Sequence, residues 1–96
     1  MDFEWDKKKA QENIRKHDGI TFEEASLAFF DDWAIEKLDD AQSYTLEQRF
    51  VIVGLTGTRL LRVTYTVREK IRIISAERAR PTEQRAYNSN RNEYDT

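Results

Sequence analysis

RFVIVGLTGTRLLRVTYTVREKIRIISAER, residues 49–78, is written with a period of two. Arg49 to Leu55 is apolar on both faces, which marks a strand covered from two sides and therefore central in its sheet. Thr56-Gly57-Thr58 reads as a hairpin connection, with a glycine available for positive φ. From Arg59 to Val67 the chain alternates. Leu61, Val63, Tyr65 and Val67 share one face, and Arg62, Thr64 and Thr66 share the other. Arg68-Glu69 is a second tight turn. Lys70 to Ala76 is a third strand, with Ile71 and Ile73 opposite Arg72 and Ile74. The alternation is expected to hold throughout, which gives a three-strand meander.

Upstream of the meander, Phe3-Glu4-Trp5 reads as a short first strand. Asp6 is placed to cap a helix over residues 7–17, with Ala10, Ile14 and His17 on one face. Lys7, Lys8 and Lys9 crowd its first turn, against the helix dipole. Asp18-Gly19 breaks the chain. Thr21 and Glu24 then form a capping box for a second helix over residues 22–30, whose inward stripe is Phe22, Ala25, Ser26 and Phe29. Trp33 to Leu38 is a further strand, and Asp39 to Thr45 a polar loop. Downstream, Pro81 suits the first position of a closing helix with its body over Glu83 to Tyr87. Residues 91–96 read as a frayed tail to a single domain over residues 1–90. The order β–α–α–β–β–β–β–α implies an α+β fold. Two N-terminal helices pack on a mostly antiparallel sheet and a C-terminal helix closes it. With the helices on one face, the other is left to the arginines.

Composition narrows the function. The 96 residues carry a formal charge of −2, but unevenly. Residues 1–48 hold six Lys/Arg against thirteen Asp/Glu, and residues 49–96 hold ten against five. The second half is thus suited to an anionic partner. There is no cysteine, which excludes disulfides and cysteine-held zinc. No apolar run is long enough for a membrane, and the acidic, aromatic start is not a signal peptide; the cytoplasm is the expected compartment, with no membrane partner. A single histidine excludes a two-histidine metal site, and no phosphate-cradling glycine loop or nucleophile elbow is present. No metal or other cofactor is expected. The acidic neighbours Glu23-Glu24, Asp31-Asp32 and Asp39-Asp40 do not face each other on a helix and read as solvated surface.

What remains is basic. Arg49 opens one strand, Arg62 and Arg72 sit on adjacent ones, Arg78 and Arg80 follow the last, and Arg85 and Tyr87 lie on the closing helix. Guanidinium groups fork onto phosphate oxygens. RNA can be cut by its own 2′-hydroxyl if that group is held in line and the charge on phosphorus is neutralised. Arginine serves the second task. His17 serves the first, since imidazole exchanges protons near neutral pH; it could equally cap its helix. The reading requires these scattered guanidinium groups to converge on one anion-sized spot.

At these residues the chain resembles the BrnT toxins. Phe3-Glu4-Trp5-Asp6, Asn13 with Lys16-His17, and Phe22-Glu23-Glu24-Ala25 resemble the opening of that family. Glu47-Gln48-Arg49-Phe50, Gly54, Leu60-Leu61, Tyr65-Thr66 and the run Ile71 to Ala79 continue it, and Glu83, Arg85 and Tyr87 close it. The resemblance covers about residues 3–87, and its most specific run is Arg72 to Ala79. It implies a type II toxin of RelE-like fold, a metal-independent endoribonuclease of RNA such as mRNA, neutralised by a BrnA-like antitoxin. It implies catalytic roles for Lys16, His17, Arg49, Arg72, Arg78 and Tyr87, with Ser75 and Glu47 behind them. Arg62, Arg80 and Arg85 are candidate RNA contacts. The chain departs from the family pattern at the extra Asp18, at Gln42-Ser43-Tyr44 and at Arg80-Pro81. A degenerate toxin that only binds antitoxin or RNA is the alternative, and the assembly is left open between a dimer and a toxin–antitoxin hetero-oligomer.

Overall fold

The computed structural model describes residues 1–39 and 47–95. The departure at Gln42-Ser43-Tyr44 and most of the loop expected before Thr45 lie outside the described residues. The elements are β1 (Phe3–Glu4), α1 (Lys7–Lys16), α2 (Phe22–Ser26) running into a 3-10 turn (Leu27–Phe30), β2 (Ile35–Leu38), β3 (Phe50–Leu55), β4 (Leu60–Val67), β5 (Ile71–Arg78) and α3 (Pro81–Asp95). They form one five-stranded sheet in the order β1-β5-β4-β3-β2, antiparallel except where β1 runs parallel to β5. The architecture is the expected α+β. Among the described residues no helix is long and apolar enough to cross a membrane.

The first sheet face carries Ile52, Leu61, Val63, Tyr65, Ile73 and Ala76, packed under Ile20, Phe22, Ala25 and Ala28. Fit here is close. A Cβ on Gly54 would lie 2.7 Å from the Ala28 carbonyl oxygen, so only glycine lets the 3-10 turn sit on β3. Asp6 and Thr21 cap the two helix starts, but the Glu24 carboxylate expected to complete the capping box bonds Thr56 and Arg59 instead. Asp6 accepts from the amides of Lys8 and Lys9 at 2.8 and 3.2 Å, and Thr21 Oγ1 accepts from Glu24 at 3.0 Å. Asp6 partly satisfies a helix end whose first turn is all lysine.

Three expectations change. First, the helices do not share one face. Val51, Val53, Leu55 and Leu60 pack against Tyr87 and Ala79 on the opposite side, so α3 covers the second face. The cause is β3 itself, apolar on both sides and needing two covers. Second, the closing helix does not end near Tyr87 but continues to Asp95. Asn90 Nδ2 donates to the Trp33 carbonyl at 2.9 Å, and the Arg91 guanidinium lies 4.5 Å from the Trp33 ring centre. These tertiary contacts hold a polar helix that has little intrinsic reason to persist. Third, the alternation breaks. Thr64 pairs with Ser75 but Tyr65 pairs with Ile73, so β5 bulges at Ile74. The bulge reverses which side each later residue takes. Ala76 and Arg78 join the first face, while Glu77 pairs across from Arg62 on the second.

Candidate functional site

α1 ends at His17, whose amide closes on Asn13 O at 2.9 Å. Asp18 and Gly19 follow with φ of 51° and 69°. Glycine takes such a conformation freely and a short polar aspartate tolerates it. This left-handed turn lays the α1–α2 connection against the end of β5. Arg78 Nε donates to Asp18 Oδ2 at 2.7 Å. His17 Nδ1 lies 3.7 Å from Glu77 Oε2. Lys16, His17, Asp18, Ile20, Glu77 and Arg78 line an open depression of about 260 Å³.

The buried Asn13 holds the two walls together. Its Nδ2 donates to Ile20 O at 3.0 Å and to Ala76 O at 2.8 Å, and its Oδ1 accepts from Ala76 N at 3.0 Å. β1 pairs only with Ile71 and Arg72, so further along β5 the Asn13 carboxamide takes the place of a neighbouring strand. Asn13 thus satisfies buried backbone groups that would otherwise lack partners. It does so one residue before Glu77.

Around the depression charge is dense and unequal. Glu77 Oε1 lies 3.5 Å from both Arg62 Nη1 and Arg80 Nη2. Arg62 also donates from Nε to Glu83 Oε2 at 2.8 Å, and this pair is buried, with 13% and 6% of the two side chains exposed. Burial pushes the Glu83 carboxyl up, but the Arg80 amide, Arg62 and Lys37 outweigh it and hold it below its usual range. The Arg78–Asp18 pair is open to solvent, with 59% and 63% of its side chains exposed. The Asp18 carboxyl is held low by the hydrogen bond from Arg78, with Arg59 and His17 adding to the effect. Arg59 grips Glu24 through two nitrogens and also donates from Nη1 to the Asp18 carbonyl at 3.1 Å. An imidazole beside a carboxylate, an exposed guanidinium and an exposed ammonium on one open wall can move a proton and bind a phosphodiester.

A family model described as "Ribonuclease toxin, BrnT, of type II toxin-antitoxin system" matches residues 5–83. The chain belongs to the BrnT family. None of the curated proteins compared matches it. BrnT membership gives RNA as the substrate class of the family and implies an antitoxin partner.

Within this BrnT chain the sequence-selected residues separate into groups. Lys16, His17 and Arg78 meet at the depression, and Arg62 and Arg80 adjoin it through Glu77. Arg72 stands at the opposite end of β5, roughly 20 Å of extended strand away, with Nη1 2.8 Å from Glu4 Oε2. Arg49 precedes β3 at that same far end, since Phe50 pairs with Tyr65 and Thr66 pairs with Arg72. Ser75 is half-buried on β5, Glu47 bonds Arg68 at 2.6 and 2.8 Å, and Arg85 is exposed on α3. Tyr87 turns into the core at 3% exposure. Its hydroxyl donates to Asp31 Oδ2 at 2.6 Å, and burial, then Asp31, push its phenol up to about 12. It is therefore neither a ready proton source nor an open stacking platform. The guanidinium groups do not all converge, and Arg62, Arg72, Arg78 and Arg80 each have a carboxylate within 4 Å.

Sequence reasoning missed Glu77, Asn13 and two of the acids read as solvated. Asp31 accepts from Tyr87, Leu55 N and Trp33 N; burial raises its pKa, but these bonds prevail and hold it low. Glu24 is held low by Arg59, helped by Thr56. One signal was present: Asn13 falls between Ala10 and His17 on the inward face of α1, a polar residue where helix periodicity asks for an apolar one.

Proposed function

We propose that this chain is an active endoribonuclease toxin whose reaction takes place in the depression between the α1–α2 turn and the end of β5. The observation that carries this reading is that His17 and Arg78, far apart in sequence, line one solvent-open depression with Glu77 3.7 Å from the imidazole. His17 takes the proton from the RNA 2′-hydroxyl, with Glu77 positioned to stabilise the imidazolium. The 2′-oxygen forms a bond to the adjacent phosphorus, and the bond from phosphorus to the 5′-oxygen breaks. Lys16 supplies the proton on which that oxygen leaves. Arg78 stabilises the charge on the pentavalent phosphorus. The products are a 2′,3′-cyclic phosphate and a 5′-hydroxyl. Such a toxin acts on RNA in the cytoplasm.

The Asp18 partner does not disqualify Arg78. Exposed ion pairs are worth little because water competes for both members. A phosphate can therefore replace Asp18, whereas the buried Arg62–Glu83 pair cannot be opened without stranding a charge. Arg62 is accordingly part of the scaffold.

The test is incubation of RNA with folded, antitoxin-free protein in EDTA, with the new ends analysed. Cyclic phosphate ends are expected, and Arg78→Ala is expected to cut on the order of a hundredfold more slowly with an unchanged unfolding midpoint. Intact RNA would reject the reading. A second reading has its own support, since Arg62, Arg72, Arg78 and Arg80 each contact a carboxylate. In it the chain is a non-catalytic toxin relative that still binds antitoxin or RNA. Expression in a bacterium separates the two: growth arrest relieved by Arg78→Ala belongs to the enzyme, and unaffected growth to the binder.

A further inference from the structure

The turn after α1 places a carboxylate where the proposed site needs a substrate anion. Asp18 Oδ2 receives Arg78 Nε at 2.7 Å, the Asp18 carbonyl receives Arg59 Nη1 at 3.1 Å, and His17 adjoins in the chain. His17, Asp18 and Arg78 line the depression, so the guanidinium of the proposed site already rests on the protein's own anion. The seat is not built for stability. Both side chains of the Arg78–Asp18 pair are more than half exposed, unlike the Arg62–Glu83 pair on the other side of the strand. Nor is the backbone indifferent to the residue. A non-glycine residue at φ 51° is uncommon, and aspartate and asparagine are among the few that tolerate it.

We propose that Asp18 is an internal stand-in for an RNA phosphate, holding Arg78 in its binding orientation and competing with substrate for it. This rests on the reading above that Arg78 binds the scissile phosphate. RNA must displace the Asp18 carboxylate before the phosphodiester reaches the guanidinium. The aspartate therefore weakens RNA binding and keeps the uncomplexed toxin below its full affinity. Arg59 does not swing with it, because Glu24 grips that guanidinium through two nitrogens. Displacement frees Arg78 alone.

The experiment measures binding of a 2′-O-methyl RNA oligonucleotide, which has no attacking hydroxyl, so its outcome does not depend on cleavage. Asp18→Asn preserves the turn and removes the charge, and Asp18→Gly preserves the turn and removes the side chain. Both are expected to bind about two- to fivefold more tightly than the parent protein, the range an exposed ion pair can supply. Asp32→Asn removes the same charge from an exposed position outside the depression and is expected to leave affinity within the error of the parent. In an Arg78→Ala background the gain from Asp18→Asn is expected to vanish. Equal tightening by Asp32→Asn would reduce the effect to net charge and overturn the proposal, as would unchanged or weaker binding by both Asp18 variants. If binding follows this pattern but natural RNA stays intact, the competition by Asp18 stands and the catalytic assignment fails.

Discussion

Two arginine–carboxylate pairs stand on opposite faces of the sheet at one end of β5, and chemistry alone does not distinguish them. Arg62–Glu83 lies under α3 with both side chains nearly dry; Arg78–Asp18 lies at the mouth of the depression with both wet. The difference is the solvent each would meet if opened. Removing one member of a dry pair leaves a charge without water or partner, whereas a wet pair exchanges its partner readily. One pair therefore fastens α3 to the sheet, and the other leaves a guanidinium available to a ligand.

The sharpest way to break this comparison is to remove one acid from each. Glu83→Ala is expected to destabilise the fold by about 3 kcal/mol, because Arg62 keeps only its longer contact to Glu77 and the Arg80 amide loses its acceptor. Asp18→Asn should leave the urea midpoint where it was. Similar losses for both would show that exposure does not separate them. Asn13→Ala comes next. It strands the Ala76 amide and two carbonyls, at about 2–3 kcal/mol in urea denaturation. Its effect should reach the wet pair, since Asn13 joins the walls that carry Asp18 and Arg78. Loss of stability with cleavage per folded molecule untouched would place Asn13 outside the site.

Acid titration is the mildest probe. Glu83, Asp31 and Glu24 all have carboxyls held below the ordinary values of 4.5, 3.8 and 4.5. A carboxyl lowered in the folded state stabilises above its unfolded value, and that contribution drains away as pH falls through the folded one. The thermal midpoint should be flat between about pH 7 and 5 and fall below about pH 4. Glu83→Gln should shallow the acid limb, and Asp18→Asn should leave most of it. A midpoint that rises on acidification would contradict the assignment.

The meander was legible because β3, β4 and β5 repeat a pattern that the sheet makes local. The helix caps at Asp6 and Thr21 were legible for the same reason: donor and acceptor lie within three residues. The side of the sheet taken by α3 was not. Ala79 and Tyr87 say only that something apolar must be covered, and β3 offers two faces. At the site, Arg78 and His17 stood out as residue types able to handle phosphate and protons. Asp31, Glu24 and Glu77 did not, because a carboxylate's role depends on what faces it, and their partners lie far along the chain. Tyr87 shows the same limit, since nothing in its neighbours reveals that the ring points inward.

The irregularity at Ile74 makes the working end of β5 depend on pairing register as well as on composition. Were Ile74 to take its place in a regular ladder opposite Thr64, the odd and even positions beyond would trade sides. Glu77 would face the helices and Arg78 would turn beneath α3, although every side chain had been kept. The one unmatched link in that ladder thus sets which of two adjacent, oppositely charged groups meets an incoming strand.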